Sequence, residues 1–107
     1  MAATLLFVRK MRNNEIYDRQ GDKLGAIEDV MLDEDISRVR YVVLGFGGSL
    51  TGAKKSFAVP VEALTLDTEN ECFVIDVPKA RLAAAHGFDP KVPPQSPDPL
   101  FEAAAHA

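Results

Sequence analysis

The chain has 107 residues and a formal net charge of −4; 47% of its residues are hydrophobic and 26% are charged. This length predicts one domain with a modest core, and no apolar run approaches the about 20 residues of a membrane-spanning helix. Residues 1–8 are apolar but too short for the usual signal peptide. The single cysteine, Cys72, excludes an internal disulfide and favours a reducing compartment, so we expect a cytoplasmic protein without membrane insertion.

The charge is unevenly distributed along the chain. Residues 13–78 hold thirteen acidic and six basic side chains, a net of −7, and the flanking residues carry +3. An acidic surface repels phosphate backbones, which argues against nucleic acid as a partner. The basic cluster Arg9, Lys10 and Arg12 is interpreted as a solvated segment near the chain start.

The first predicted strands are short. Residues 4–10 fit either a strand or a disordered leader, and both readings stay open. Residues 15–17 predict a strand, residues 18–22 a turn and residues 24–33 a longer second strand. The apolar residues of that strand change parity between Ile27 and Val30, which predicts a β-bulge near Glu28 and Asp29.

The remaining strands follow at short, regular spacing. The predicted segments are a strand over 38–46 that is apolar on both faces, a glycine-rich loop over 47–55, a strand over 56–59, a helical turn over 61–64, a short strand at 65–66, a turn over 67–71 and a strand over 72–77. Such spacing, with β-branched and aromatic runs, predicts a mainly β fold, a small antiparallel β-barrel of about six strands.

The end of the chain changes character. Pro78 opens a short helix of strong helix formers, and Gly87 suits its C-terminal stop. Five prolines between residues 89 and 99 then predict an extended tail without regular structure. We therefore divide the chain into a leader or extra strand (1–12), a barrel domain with its terminal helix (13–87) and a proline-rich tail (88–107).

No motif predicts catalysis, a cofactor or a metal. The glycine-rich loop has Ala53 where a phosphate-binding loop requires lysine. Residues 33–37 lack the glycine and the closing glutamate of a calcium loop. His86 and His106 have no third ligand nearby, and Cys72 has no adjacent histidine. We expect a non-enzymatic protein; the minor alternative, a small enzyme, requires a deep pocket with convergent polar groups.

An ordered set of short motifs over about residues 13–89 resembles the PRC-barrel family. These motifs include Gly21-x-x-Leu24-Gly25-x-Ile27-Glu28-Asp29-Val30, Arg38-Val39-x-Tyr41-Val42-Val43-Leu44, Gly47-Gly48-x-Leu50, Lys55-x-Phe57-Ala58-Val59-Pro60 and Phe73-Val74-Ile75-Asp76-Val77. The resemblance implies a six-stranded barrel, as in the cytoplasmic domain of the photosynthetic reaction-centre H subunit and the C-terminal half of a ribosome maturation factor. In both settings the barrel docks proteins and does not catalyse.

The resemblance and the absence of catalytic motifs predict a protein-binding or assembly module that self-associates, with a dimer favoured. One alternative is an accessory of photosynthetic or electron-transfer complexes, and a second is a ribosome-maturation-type adaptor. The candidate partner-contact residues are Gly47, Gly48, Leu50, Lys54, Lys55, Phe88, Leu100 and Phe101. If the last three anchor a neighbour, truncation after Asp89 is predicted to lower the oligomer mass.

Overall fold

Runs of β-branched and aromatic residues fold into six strands in a computed structural model that describes residues 14–35, 38–47 and 54–105. The strands are β1 (Glu15–Asp18), β2 (Lys23–Leu32), β3 (Val39–Gly47), β4 (Lys54–Val59), β5 (Thr65–Asp67) and β6 (Cys72–Ile75). The helical elements are a 3₁₀ turn at Val61–Ala63, helix α1 (Lys79–Ala84), a 3₁₀ turn at Pro99–Phe101 and helix α2 (Glu102–Ala105). The predicted mainly β fold with a short C-terminal helix is confirmed.

The strands form one sheet in the order β4-β3-β2-β1-β6-β5. All neighbouring pairs are antiparallel except β1 and β6, which are parallel, so the expectation of antiparallel pairing throughout was wrong at this position. The chain crosses from β4 at one end of the sheet to β5 at the other, and the β5–β6 hairpin then brings β6 alongside β1 in the same direction. Within the described residues, no ladder joins β4 to β5.

The predicted bulge in β2 is confirmed. Glu28 has no partner between the paired residues Ile27 and Asp29. Its carboxylate lies over Gly45, where a Cβ atom would come within 2.3 Å of the carboxyl carbon. The same carboxylate forms a salt bridge with Lys54 at the start of β4. The bulge therefore places an acidic side chain across β3, and a glycine in β3 leaves room for it.

β3 is buried on both faces, as its sequence predicted. Val42, Leu44 and Phe46 point into the main core, whereas Tyr41 and Val43 point to the opposite face and form a smaller cluster with Ala58. The main core collects side chains from five strands, the first 3₁₀ turn, the link between β6 and α1, α1 itself and the C-terminal turn: Ile16, Leu24, Val42, Leu44, Phe46, Phe57, Val59, Ala63, Ile75, Val77, Leu82 and Phe101.

The C-terminal residues contribute to this core. Phe57 makes edge-to-face contacts with Phe46 and Phe101 at centroid distances of 6.0 and 6.2 Å, and Phe101 is completely buried. The predicted irregular tail is therefore wrong over residues 99–105, which form two short helical elements. The Asp98 side chain accepts a hydrogen bond from the Leu100 N–H at 2.9 Å, and this cap starts the 3₁₀ turn.

A buried carboxylate joins the first turn to α1. Asp18 Oδ1 accepts hydrogen bonds from the N–H groups of Gln20 and Asp22 at 3.0 and 2.9 Å. Its Oδ2 accepts one from the Lys79 N–H, the first residue of α1, at 3.1 Å. Because Asp18 is buried, these bonds satisfy a polar group that would otherwise be costly to bury, and they fix where α1 begins.

The other end of α1 lies against β4. Lys55 Nζ donates hydrogen bonds to the carbonyl oxygens of Ala83 and Ala85 at 2.6 and 2.8 Å, so an ammonium group caps the helix C-terminus. The helix ends at Ala84, two residues earlier than predicted. Gly87 has φ of +73°, and a Cβ atom there would lie 2.5 Å from the Ser56 carbonyl oxygen. Glycine thus lets the chain turn tightly onto β4.

Candidate partner-contact surface

The end of the β2–β3 hairpin exposes three apolar side chains. Val30, Leu32 and Val39 are 46%, 51% and 39% exposed. Leu32 pairs with Val39, and Val30 pairs with the core residue Val42, so all three continue the core face of the sheet beyond the core. We call Val30, Leu32 and Val39 the hairpin face. Because exposed apolar side chains grouped on one face mark interaction sites when the patch is large enough, this end of the hairpin is a candidate contact surface.

Charged groups of both signs border the hairpin face. Arg40 is a bulge residue in β3, unpaired between Val39 and Tyr41. Its Nε donates to Asp33, and Arg38 Nε donates to the same carboxylate at 3.1 Å. The hydrogen bond from Arg40 is the largest effect and lowers the pKa of Asp33 below its ordinary value; desolvation opposes it, and the hydrogen bond from Arg38 adds to the lowering. Asp33 therefore stays ionised at neutral pH.

We call Asp33, Arg38 and Arg40 the charged rim. An open groove of about 780 Å³ lies behind it, between these residues and residues 93–95. Residues 33–35, Arg38 and Arg40 form one wall, and residues 93–95 form the other. The described lining carries acidic, basic, amide and phenol side chains, so it offers hydrogen bonds and ion pairs.

Tyr41 anchors the C-terminal segment, which we define as residues 88–105, to the outer face of the sheet. Its hydroxyl donates to the Pro94 carbonyl oxygen at 2.8 Å. Its ring meets Phe88 edge to face at a centroid distance of 6.5 Å. Burial, with a smaller contribution from the negative charge of Asp29, raises the pKa of Tyr41 above its ordinary value. The hydroxyl is therefore neutral and remains a donor at physiological pH.

The C-terminal segment also covers the outer edge of β4. The Phe88 N–H donates to the Ser56 carbonyl oxygen at 2.8 Å, and the Asp98 N–H donates to the Ala58 carbonyl oxygen at 2.9 Å. Phe88 and Ser56 form an antiparallel bridge. An edge strand with free carbonyl groups is a template for pairing with other chains, and here the chain itself occupies that edge.

The predicted contact residues in the glycine-rich region are only partly described. Gly47 is exposed at the end of β3 and Lys54 is exposed at the start of β4. Gly48 and Leu50 lie outside the described residues. Lys55 is half-buried, and its ammonium group is engaged with the end of α1. Among the described residues of this region, Gly47 and Lys54 are exposed and pair with each other across β3 and β4.

The three predicted C-terminal anchors pack against their own chain. Phe88 and Leu100 are half-buried and Phe101 is fully buried. In this fold Phe101 is not available to a partner, because the main core already surrounds it. Prolines prevent regular hydrogen bonding of the backbone, but they do not prevent neighbouring aromatic side chains from packing. Phe88 bridges to Ser56 beside Lys55 on β4, whereas Phe101 lies in the main core.

Sequence reasoning missed the hairpin face, although a signal was present. The predicted first strand has three residues and the predicted second strand has ten. In the structure β1 spans four residues and pairs with β2 only over its first half, Lys23 to Ala26. Apolar residues near the far end of β2, such as Val30 and Leu32, could have been identified from this difference in length.

The described part of the chain offers neither a metal-binding cluster nor a membrane-spanning helix. In it, no three His, Cys, Asp or Glu side chains cluster in a way that could hold a metal ion. The helices found there are all too short, or too polar, to cross a bilayer.

A six-stranded sheet with one main core, a bulged β2–β3 hairpin and an exposed apolar hairpin end defines a small, mainly β module whose sheet is not closed between β4 and β5 in the described residues. The family model described as PRC-barrel domain matches residues 3–82, about three quarters of the chain. The chain therefore belongs to the PRC-barrel family, which confirms the resemblance found in its motifs. No curated protein matches the chain.

Proposed function

We propose that this PRC-barrel protein is a non-enzymatic, cytoplasmic binding module that acts through the hairpin face, and that its first partner is a second copy of the chain. The observation that carries the proposal is the exposure of three apolar side chains on one face of the β2–β3 hairpin. Removing such side chains from water contributes about 25 cal/mol per Å² of apolar surface, so a small patch supports a weak dimer.

The charged rim favours a second copy as the occupant. A two-fold axis brings the same surface of each protomer together, so a residue of one copy meets a different residue of the other. The rim carries both signs, with Asp33 beside Arg38 and Arg40. Two such rims can pair acid with base across the axis, whereas a rim of one sign would repel itself.

The test is the oligomeric state of the full chain, measured by sedimentation over a concentration series. Replacing Leu32 by Ser and Val39 by Thr is expected to weaken dimerisation at least tenfold. Val92→Ser is the matched control, because Val92 is 71% exposed and lies outside the hairpin face. A wild-type chain that stays monomeric at high concentration, or a dimer indifferent to both hairpin substitutions, would contradict the proposal.

A second partner is suggested by the charge of the domain. The net −7 of residues 13–78 favours a basic protein surface, which the ribosome-maturation-type adaptor requires. The alternative, an accessory of photosynthetic or electron-transfer complexes, requires co-purification with a membrane complex. Affinity capture from the native cell with the wild-type chain and the Leu32→Ser variant, followed by mass spectrometry, separates the two: a basic ribosomal partner favours the first and a membrane complex the second.

A further inference from the structure

We infer that the β4 edge is a strand-addition site held closed by the chain's own C-terminal segment, and that β4 of a second copy pairs with it when that segment is released. The β4 edge is separate from the hairpin face, so this inference does not depend on the proposed dimer. It also reverses the sign of the truncation effect expected from the sequence, since the segment prevents association at this edge.

The backbone contacts define the site. The carbonyl groups of Ser56 and Ala58 are two residues apart and accept hydrogen bonds from Phe88 and Asp98. Groups two residues apart on a strand point to the same side, here away from β3. The segment therefore occupies positions that an added strand would use in β-augmentation.

The segment contributes side chains to the core but no strand to the sheet. None of the six strands comes from residues 88–105, so its release leaves every ladder of the sheet in place. Phe88 and Phe101 anchor its two halves, one against Tyr41 and the other against Phe57. Residues 89–97 between these anchors include four prolines and the exposed Val92.

The sequence of β4 suits pairing with itself. Antiparallel pairing of β4 with its copy about a two-fold axis at Ser56 places each Lys54 opposite Ala58 and each Lys55 opposite Phe57, so no lysine faces another lysine. Only the nine residues 89–97 separate the two donors, Phe88 and Asp98, so closing the loop between them costs little entropy. The closed form therefore predominates in the intact chain, and association requires a change that weakens the anchors.

Two full-length variants weaken the anchors independently. Phe101→Ala removes the buried ring, and Gly87→Ala introduces a Cβ atom against the β4 backbone. Val92→Ala is the matched control in the same segment. Each variant is made in the wild-type chain and in a chain carrying Leu32→Ser and Val39→Thr, which removes the hairpin face. Sedimentation at about 100 μM is expected to show a twofold rise in mass over the parent for both release variants, and none for the control.

A synthetic peptide of residues 88–105 supplies the second measurement. Added in excess to the Phe101→Ala protein, it is expected to return the mass to that of the parent, whereas the same peptide with alanine at position 101 is expected to have no effect. Circular dichroism establishes which variants remain folded. If one release variant unfolds, the mass of the other, folded variant in sedimentation tests the inference.

The inference is overturned if the folded release variants keep the mass of their parent, or if the wild-type peptide does not reverse association. It is also overturned if both variants unfold, because the segment is then part of the core and cannot be released. A rise in mass confined to the wild-type background would assign the association to the hairpin face. If only the proposed function fails, the wild-type chain and the chain carrying Leu32→Ser and Val39→Thr will have equal masses.

Discussion

The β4 edge and the end of the β2–β3 hairpin are both sites where the sheet presents surface suited to pairing, yet the chain covers one and exposes the other. At β4 the C-terminal segment satisfies two carbonyl groups and inserts Phe101 into the core. At the hairpin end Val30, Leu32 and Val39 remain open to solvent. The β4 edge is thus covered by the chain itself, whereas the hairpin face is accessible to a partner.

The difference follows from where α1 ends. Lys55 holds the C-terminus of α1 against β4, and Gly87 turns the chain directly onto that strand. From there the segment crosses the outer face at Tyr41 and returns to β4 at Asp98. The hairpin face lies on the opposite side of the sheet. In this chain, the covered surface is the one onto which the end of α1 and Gly87 direct the following residues. How apolar a surface is does not decide whether it is covered.

The largest effect is expected where the covered region meets the core. Phe101→Ala should lower the free energy of unfolding by about 3–5 kcal/mol, because it removes a completely buried ring and leaves a cavity beside Phe57. Urea denaturation of the full chain measures this. Val92→Ala should change the value by less than about 0.5 kcal/mol. A loss below about 1 kcal/mol for Phe101→Ala would show that Phe101 contributes little to the core, so that the covered β4 edge and the exposed hairpin end would not differ in stability as described.

A smaller effect is expected at the other anchor of the C-terminal segment. Phe88→Ala should destabilise the fold by about 1–2 kcal/mol, since the ring is half-buried and packs edge to face on Tyr41. The same denaturation assay applies, with Phe88→Leu as the control that keeps an apolar side chain of similar reach. Equal losses for the Leu and Ala substitutions would show that apolar packing at this anchor contributes little.

The Tyr41 hydroxyl is expected to contribute less again. Tyr41→Phe should cost about 0.5–1.5 kcal/mol at neutral pH, because it leaves the Pro94 carbonyl without its donor. Burial raises the pKa of Tyr41 in the folded state, so this stabilisation is complete below the unfolded pKa of about 10 and is lost as pH rises through the folded pKa. Stability measured from pH 7 to 11.5 should fall more steeply for wild type than for Tyr41→Phe. Parallel pH dependences of stability for the two proteins would show that the Tyr41 hydroxyl does not contribute to stability.

The smallest effect on stability is expected at the hairpin face. Leu32→Ser should alter the free energy of unfolding of the monomer by less than about 0.5 kcal/mol, because half of the side chain is already exposed. Dilute thermal denaturation provides the check, alongside the sedimentation series. A loss above about 2 kcal/mol would show that Leu32 belongs to the core, and the contrast between the two regions would then disappear.

Local patterns in the sequence predicted much of the fold. The parity change between Ile27 and Val30 located the bulge at Glu28, and the two-sided apolar run of β3 predicted a strand buried on both faces. The family motifs led to the correct family. Each of these features depends on residues that are neighbours along one strand, or on motifs in a fixed order.

The parts that failed depend on contacts between distant segments. Proline content indicates how regular a backbone is, but it does not indicate whether Phe101 finds a cavity 44 residues away at Phe57. The parallel pairing of β1 and β6 depends on the route of the crossover. The exposure of Leu32 depends on how far β1 extends beside β2. The first two of these are not encoded in a short window of sequence, and the third requires comparing the lengths of two strands.

The late position of Phe101 in the chain has a consequence for synthesis. The sheet is complete at Ile75, and roughly 25 further residues have to be translated before Phe101 can close over β4. At about 5–20 residues per second, the edge of a nascent chain stays open for about 1–5 s. We expect neighbouring polypeptides on one messenger to pair during this interval. Differently tagged chains that pair no better when translated together than when mixed after purification would exclude it.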